Sequence, residues 1–444
     1  VDHDSGISGT FENTGTLTKT GAGRVDFGTY GLLAFGQEGT LVVSQGAITL
    51  GGNGNFSHTL SGTQQLAAGA LLEVSGGSTT ATSSAVFTGA GRLSLTGGTL
   101  TFADGLNTGI TLQQSGNGTF AGTGNNTLSG RYEWTGGNVT GSGTLTVSGV
   151  LQMNGGAGSF GLDGRSLLHT NGSGTSSLYK TGGYFYLSNG ATFTNAAGAQ
   201  LYFDTGSGAT YLYGSGATGN FINAGSLFKV GSGQLYGFSA VRLQNTGRLV
   251  VAQGNVTTDS FATNAGVLDL LPGTTFSTNG APLTNTGTIS GHGTMTVGGT
   301  GLLNQGTVSP GGSGTIGTLR LTGNYTQASG GTLQIERGSA GTDALIVSGT
   351  AALNGTLAVS ELSGYVAVSG ATDVVSAGTL SGAFTSVSLP SAGYTTAATG
   401  NRYVLSYAGA ICGGICWDGG ARTNLWTDAA NWTGDLLPGT NDLV

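Results

Sequence analysis

Twenty Asp and Glu and thirteen Lys and Arg are spread through 444 residues, and they are the first place to look for chemistry. Cleaving a polysaccharide takes two carboxylates across a bond, or a base beside a charge-neutralising cation. Only Asp2 and Asp4 stand within two residues of each other. Asp259 and Asp269 with Arg242 and Arg248 are the best remaining set, because residues about 20 apart can meet on neighbouring turns of a repeat. Scattered solvated charge is the simpler account of them.

Other chemistries find less. The four histidines, His3, His58, His169 and His292, share no spacing and stand near no cysteine, so no transition-metal set is expected. The run "GGNGNFSH" from Gly51 comes nearest to a calcium-binding nonapeptide turn, yet it lacks the ligating Asp. Gly-x-Gly-x-x-Gly occurs at Gly156, Gly214 and Gly312; at one Gly in five residues chance alone supplies roughly three or four copies. None opens a helix. No catalytic residue, metal or cofactor is expected.

Both cysteines fall in "CGGIC", as Cys412 and Cys416. Two accounts fit: a local disulfide closing a small loop, or a cross-link to another chain or a following unit. From Tyr179 to Phe238 the chain carries an aromatic concentration that includes Tyr184, Tyr186, Tyr202, Tyr211 and Tyr213. Stacking between neighbouring turns is one role for them, and a strip that binds sugar rings is the other. Near the end come Trp417, Trp426 and Trp432.

What elements could position these residues? Gly makes up 89 of the 444 residues, hydrophobic residues 37% and charged residues 7%, with a net charge of −7. That charge content is too low for a disordered chain, and the acidic balance disfavours nucleic acid and anionic lipid. No apolar run of 18 residues is present, so no transmembrane helix is expected. Short alternations such as "GTLTV" and "GRLSL" read as half-buried strands, with Gly, Asn and Ser as the turns between them. Helical periodicity is absent.

The phrase Asn-x-Gly-x-Leu/Ile/Val repeats at Asn223, Asn245, Asn264, Asn285 and Asn304, at spacings of 22, 19, 21 and 19. Asn13 begins an earlier copy and Asn195 a copy with one residue inserted before its Gly and one after it. A unit of about 20 residues cannot bury an apolar face alone, and stacking is what buries it. The expected fold is therefore all-β, a parallel β-helix with coils of about 20 residues, about 20 coils and a length on the order of 100 Å. The Asn residues would form ladders at one corner, and the Gly would supply turns with φ > 0.

Residues 283–359, "LTNTGTISGHGTMTVGGTG…ALNGTLAV", resemble the terminal coils of autotransporter passengers. Residues 417–444, "WDGGARTNLWTDAANWTGDLLPGTNDLV", resemble the opening of a repeat unit in very large filamentous-haemagglutinin-like surface proteins. The resemblance implies a right-handed β-helix, export from a Gram-negative bacterium and a structural or adhesive role at the cell surface. It implies a rod over 1–408, with 309–408 as terminal coils, and a junction over 409–444 where the three Trp cover an end or make a joint. The chain is expected to be a mature portion or one segment of something longer. Its partners would be neighbouring copies or following units, and surface polysaccharide or a host or environmental surface. A carbohydrate-binding surface is the alternative function, and a polysaccharide-cleaving β-helix a more distant one.

Overall fold

The computed structural model describes residues 9–28, 33–52, 56–173, 176–237, 240–408, 415–417, 419–421 and 423–440. Strands make up 56% of the described residues and form a β-solenoid of about 15 turns, with about 23 residues in each. A coil has three strands, so each strand pairs in parallel with the one three places on. On the first face Tyr184–Ser188, Ala209–Tyr213, Gln234–Gly237 and Asn255–Thr258 follow one another. Thr192–Asn195, Gly219–Asn223 and Val241–Asn245 do so on the second. Gln200–Asp204, Ser226–Val230 and Arg248–Val251 do so on the third.

The coils are fewer and longer than the spacing of the Asn phrase predicts. That spacing samples only the tightest coils, whereas Asn195 and Asn223, in register on adjacent coils, are 28 residues apart. At about 4.8 Å per level, 15 turns give a stack of roughly 70 Å.

The repeated phrase occupies the corner between the second and third faces, and each of its three fixed residues answers to the coil above. The aliphatic residue belongs to a core column running Leu201, Leu227, Leu249, Leu268, Ile289, Val308, Leu333 and Leu357, each paired with the next and at most 3% exposed. Each such burial contributes about 1.5–3 kcal/mol before chain entropy is counted.

The Asn side chain turns inward. Asn223 Nδ2 donates to Asn245 Oδ1 at 2.8 Å and to the Arg248 carbonyl at 3.0 Å. Asn245 repeats this toward Asn264 and Val267, Asn264 toward Asn285 and Thr288, and Asn285 toward Asn304 and Thr307. Below, Asn195 donates to Asn223 and its Oδ1 meets His169 Nδ1 at 2.9 Å. Above, Asn304 donates to the Tyr325 hydroxyl, and Tyr325 to Gln327. Asn13 makes the same two bonds, to Gln37 Oε1 at 2.8 Å and the Thr40 carbonyl at 3.1 Å.

Positive φ is supplied, as expected, by other glycines such as Gly254 and Gly273, and the Gly of the phrase serves a different purpose. Gly247, Gly266, Gly287 and Gly306 are not among the glycines with positive φ. They are needed because a Cβ on any of them would sit 2.0–2.1 Å from the carbonyl oxygen of the Gly one coil below. That approach lets the Asn carbonyl accept two N–H groups at once, as Asn264 does from Thr286 at 2.9 Å and Gly287 at 3.1 Å.

The parallel rule ends near the C-terminal side. Gly370–Gly382 still pairs in parallel with Ala344–Leu353, but its other edge meets Arg402–Tyr407 antiparallel. Tyr394–Thr399 adds a second antiparallel pairing to Arg402–Tyr407. The last strands of 1–408 are thus a hairpin-like closure rather than further coils.

Replacing Asn264 with Ala orphans buried partners on two coils, and a loss of about 2–3 kcal/mol is expected. Gly266→Ala forces the corner apart and is expected to cost at least as much, while Thr296→Ala on an outward position stays within about 0.5 kcal/mol. Urea unfolding of the three variants against the parent checks the ranking.

Candidate functional site

Four of the five tyrosines singled out in the sequence come together, with one more. Tyr184 and Tyr186 alternate with buried Phe185 and Leu187 and so point outward from the first face. Tyr211 and Tyr213 do the same one coil up, and Tyr236 one coil beyond. Strand register places Tyr184, Tyr211 and Tyr236 in one column and Tyr186 and Tyr213 in the next. Ring centroids lie 5.3 Å apart for Tyr184 and Tyr211, 5.0 Å for Tyr211 and Tyr236, and 5.9 Å for Tyr186 and Tyr213.

Tyr202 is not part of this group. It stands on the third face, stacked on Phe228 at 5.0 Å. Closeness in sequence misleads here because a corner separates the strands, and the corner turns the outward direction to another side.

The Asp and Arg set is not assembled. Arg248 and Asp269 pair at 2.7 Å on the third face, where Asp269 also accepts from Ser290 at 3.2 Å. Arg242 is exposed on the second face and Asp259 is exposed in the turn after Asn255–Thr258. An exposed pair such as Arg248 and Asp269 adds little stability.

Among the described residues no three His, Cys, Asp or Glu are close enough to hold a metal ion. His58 is a satisfied core residue, accepting from the Phe35 N–H at 3.1 Å and facing the Gly51 carbonyl at 2.8 Å.

Cys416 is in a disulfide, while Cys412 lies outside the described residues. Trp417 and Trp432 form an antiparallel bridge, and their rings meet edge to face at 5.2 Å. Trp426 packs on Trp432 at 5.0 Å and accepts the Trp432 indole N–H at its carbonyl, 3.0 Å away. Buried Asn431 ties the segment together, donating to the Thr423 and Leu425 carbonyls and accepting from the Ala421 N–H. Trp426 is 68% exposed and Leu425 and Leu436 about as much, so the cluster shows an apolar outer side.

The sequence reading missed a set of charged residues inside the rod. Arg165, Lys180, Lys229 and Asp343 are fully buried. Lys229 Nζ lies within 2.8–3.1 Å of the carbonyls of Val230, Gly231, Gly233 and Gln253, at the corner between the third and first faces. Lys180 reaches the Gly158 carbonyl and lies over the Phe160 ring. Gln114 plays the same part lower down, donating to the Gly118 and Asn138 carbonyls. The signal was phase: in "SLYK" and "SLFKV" each Lys takes the inward position of the alternation that Leu178 and Leu227 share.

Burial holds the amines of Lys180 and Lys229 down to about 8 and Arg165 down to about 10. Burial pushes the Asp343 carboxyl up to about 7, although it accepts the N–H groups of Gly317 and Glu336.

A search against protein-family models finds no match, and a search of curated protein sequences finds none either. The geometry of the chain itself therefore carries the functional reading.

Lys180 and Lys229 have folded pKa values below the 10.5 of the free amine, so between about 8 and 10.5 the unfolded chain binds more protons. Stability contributed by these sites therefore rises with pH through that window. Denaturant midpoints measured across it are expected to climb, and the double variant Lys180→Met, Lys229→Met is expected to flatten the climb.

Proposed function

We propose that the chain is a secreted, non-catalytic β-solenoid rod, a structural and adhesive segment of a larger repetitive surface or fibre-forming protein. The observation that carries this reading is the unbroken ladder from His169 to Gln327, which ties nine buried side chains into one column along the stack. A fold in which every level is specified by the next invests its sequence in a stiff, extended shape.

Three further features support it. The disulfide at Cys416 fits an oxidising compartment outside the cytosol. The antiparallel strands at 370–407 close one end of the stack, and exposed strand edges otherwise recruit neighbours. The Trp cluster beyond them offers an apolar side suited to a joint with a following unit or a neighbouring copy. These features, together with the low charge of the chain, favour a stalk or filament over an enzyme.

Electron microscopy of cells carrying the full protein, with an antibody against this chain, tests the proposal. Gold outside the envelope is expected, either along continuous fibres or on short projecting rods. Fibres would make the Trp cluster the first candidate for unit-to-unit joints, and single rods would make the chain a stalk. Label confined to the cell interior would remove the proposal.

A further inference from the structure

The five tyrosines of the first face are not required by the fold. Their inward neighbours Phe185, Leu187, Leu212 and Leu235 are buried and fill the core at these levels. In the same outward column the next three coils carry Thr257, Ser277 and Thr296, which serve the strand equally well. Over three successive coils small hydroxyl residues therefore give way to phenols, and only the outer surface changes.

The surface so made has a definite chemistry. Tyr184 and Tyr213 are 39% and 37% exposed, and Tyr186, Tyr211 and Tyr236 are half-buried around them. The rings form one continuous patch, with Tyr184 touching Tyr186, Tyr211 and Tyr213. Along the axis the column Tyr184, Tyr211, Tyr236 advances by 5.3 and 5.0 Å between centroids, close to the length of one pyranose ring in an extended glycan. Among the described residues the hydroxyls of Tyr184, Tyr186, Tyr211 and Tyr213 form no hydrogen bond, so donors and acceptors ring an apolar surface.

Charge narrows the partner. The strands Tyr184–Ser188, Ala209–Tyr213 and Gln234–Gly237 contain no charged residue, and the chain as a whole carries −7. Nothing in these strands would neutralise a uronate, a sulfate or a phosphate, and the overall field repels polyanions. A neutral pyranose presents the opposite pairing, an apolar C–H face for the rings and a rim of hydroxyls for the phenol O–H groups.

We propose that this tyrosine platform binds an uncharged polysaccharide, lying along the rod axis across at least three coils. The contact is made by the sugars' C–H faces on the outer side of the ring cluster at Tyr184, Tyr211 and Tyr213, with hydrogen bonds to the phenol hydroxyls at its margin. It is independent of whether the rod is exported, because it concerns the purified chain alone.

The test is affinity electrophoresis of the 444-residue chain in native gels containing hydroxyethylcellulose, xyloglucan, mixed-linkage β-glucan or dextran, with alginate as the polyanion. The variants are Tyr184→Ser with Tyr213→Ser, which copies the small hydroxyl residues of neighbouring coils, and Tyr202→Ser on the third face as control. Thermal unfolding of each checks that the coils remain intact. Retardation is expected in at least one neutral glycan, weakened about tenfold in the double variant and unchanged in the control. No retardation in any neutral gel overturns the proposal, as does retardation by alginate alone or equal retardation of the folded double variant.

Discussion

The buried side-chain amide at the corner between the second and third faces is the constraint on which the rest of the rod depends. An amide nitrogen enclosed in a core must place both its protons, and here both acceptors belong to the next coil: one is that coil's own amide oxygen, the other its backbone carbonyl three residues on. One residue type therefore fixes the height, register and direction of the coil above it. The Gly beside it removes the only atom that would hold the backbones apart. Other corners are free to lengthen because this one is not, and coil lengths from 19 to 28 residues pass through it in register.

The third-to-first corner solves the same problem with different residues. Several of its carbonyls converge inward, and donor-rich side chains meet them from inside the core: Gln114, Lys180 and Lys229 at different levels. A buried ammonium is an expensive donor, yet it can serve several carbonyls together, as Lys229 does. Arg165, buried at the corner between the first and second faces, is less settled. It has Asn126 as a partner and the Phe120 ring beneath its guanidinium, while its Nε and Nη1 lack partners.

How much of this was legible depended on whether the residue type itself was repeated. Asn, Gly and Leu recur because contact with the next coil demands each of them, so the solenoid and its corner could be read directly. Tyr325 and Gln327 do the work of Asn under other names and were invisible to a search for the phrase, as was Gln37, which only accepts the bond from Asn13. The buried lysines were hidden by their type, since charge suggests solvent and only the two-residue alternation says otherwise. Tyr202 was misplaced because a three-sided coil sends near neighbours in sequence to different sides, whereas Tyr236, a full coil beyond Tyr211, joins the patch. The coil count was overestimated for a related reason: the most regular coils are also the shortest.

The direction of the hydrogen bonds has a mechanical consequence. Strands lie across the rod, so the bonds between coils point along its axis and a pull on the two ends loads them in tension. Such a stack yields one level at a time from an end, since each coil is held only by its neighbours. A released coil of about 23 residues pays out roughly 75 Å of extended chain in place of about 5 Å of rod. A tether built this way dissipates sudden load as length, and it keeps the remaining coils in place as templates on which the released ones can wind back.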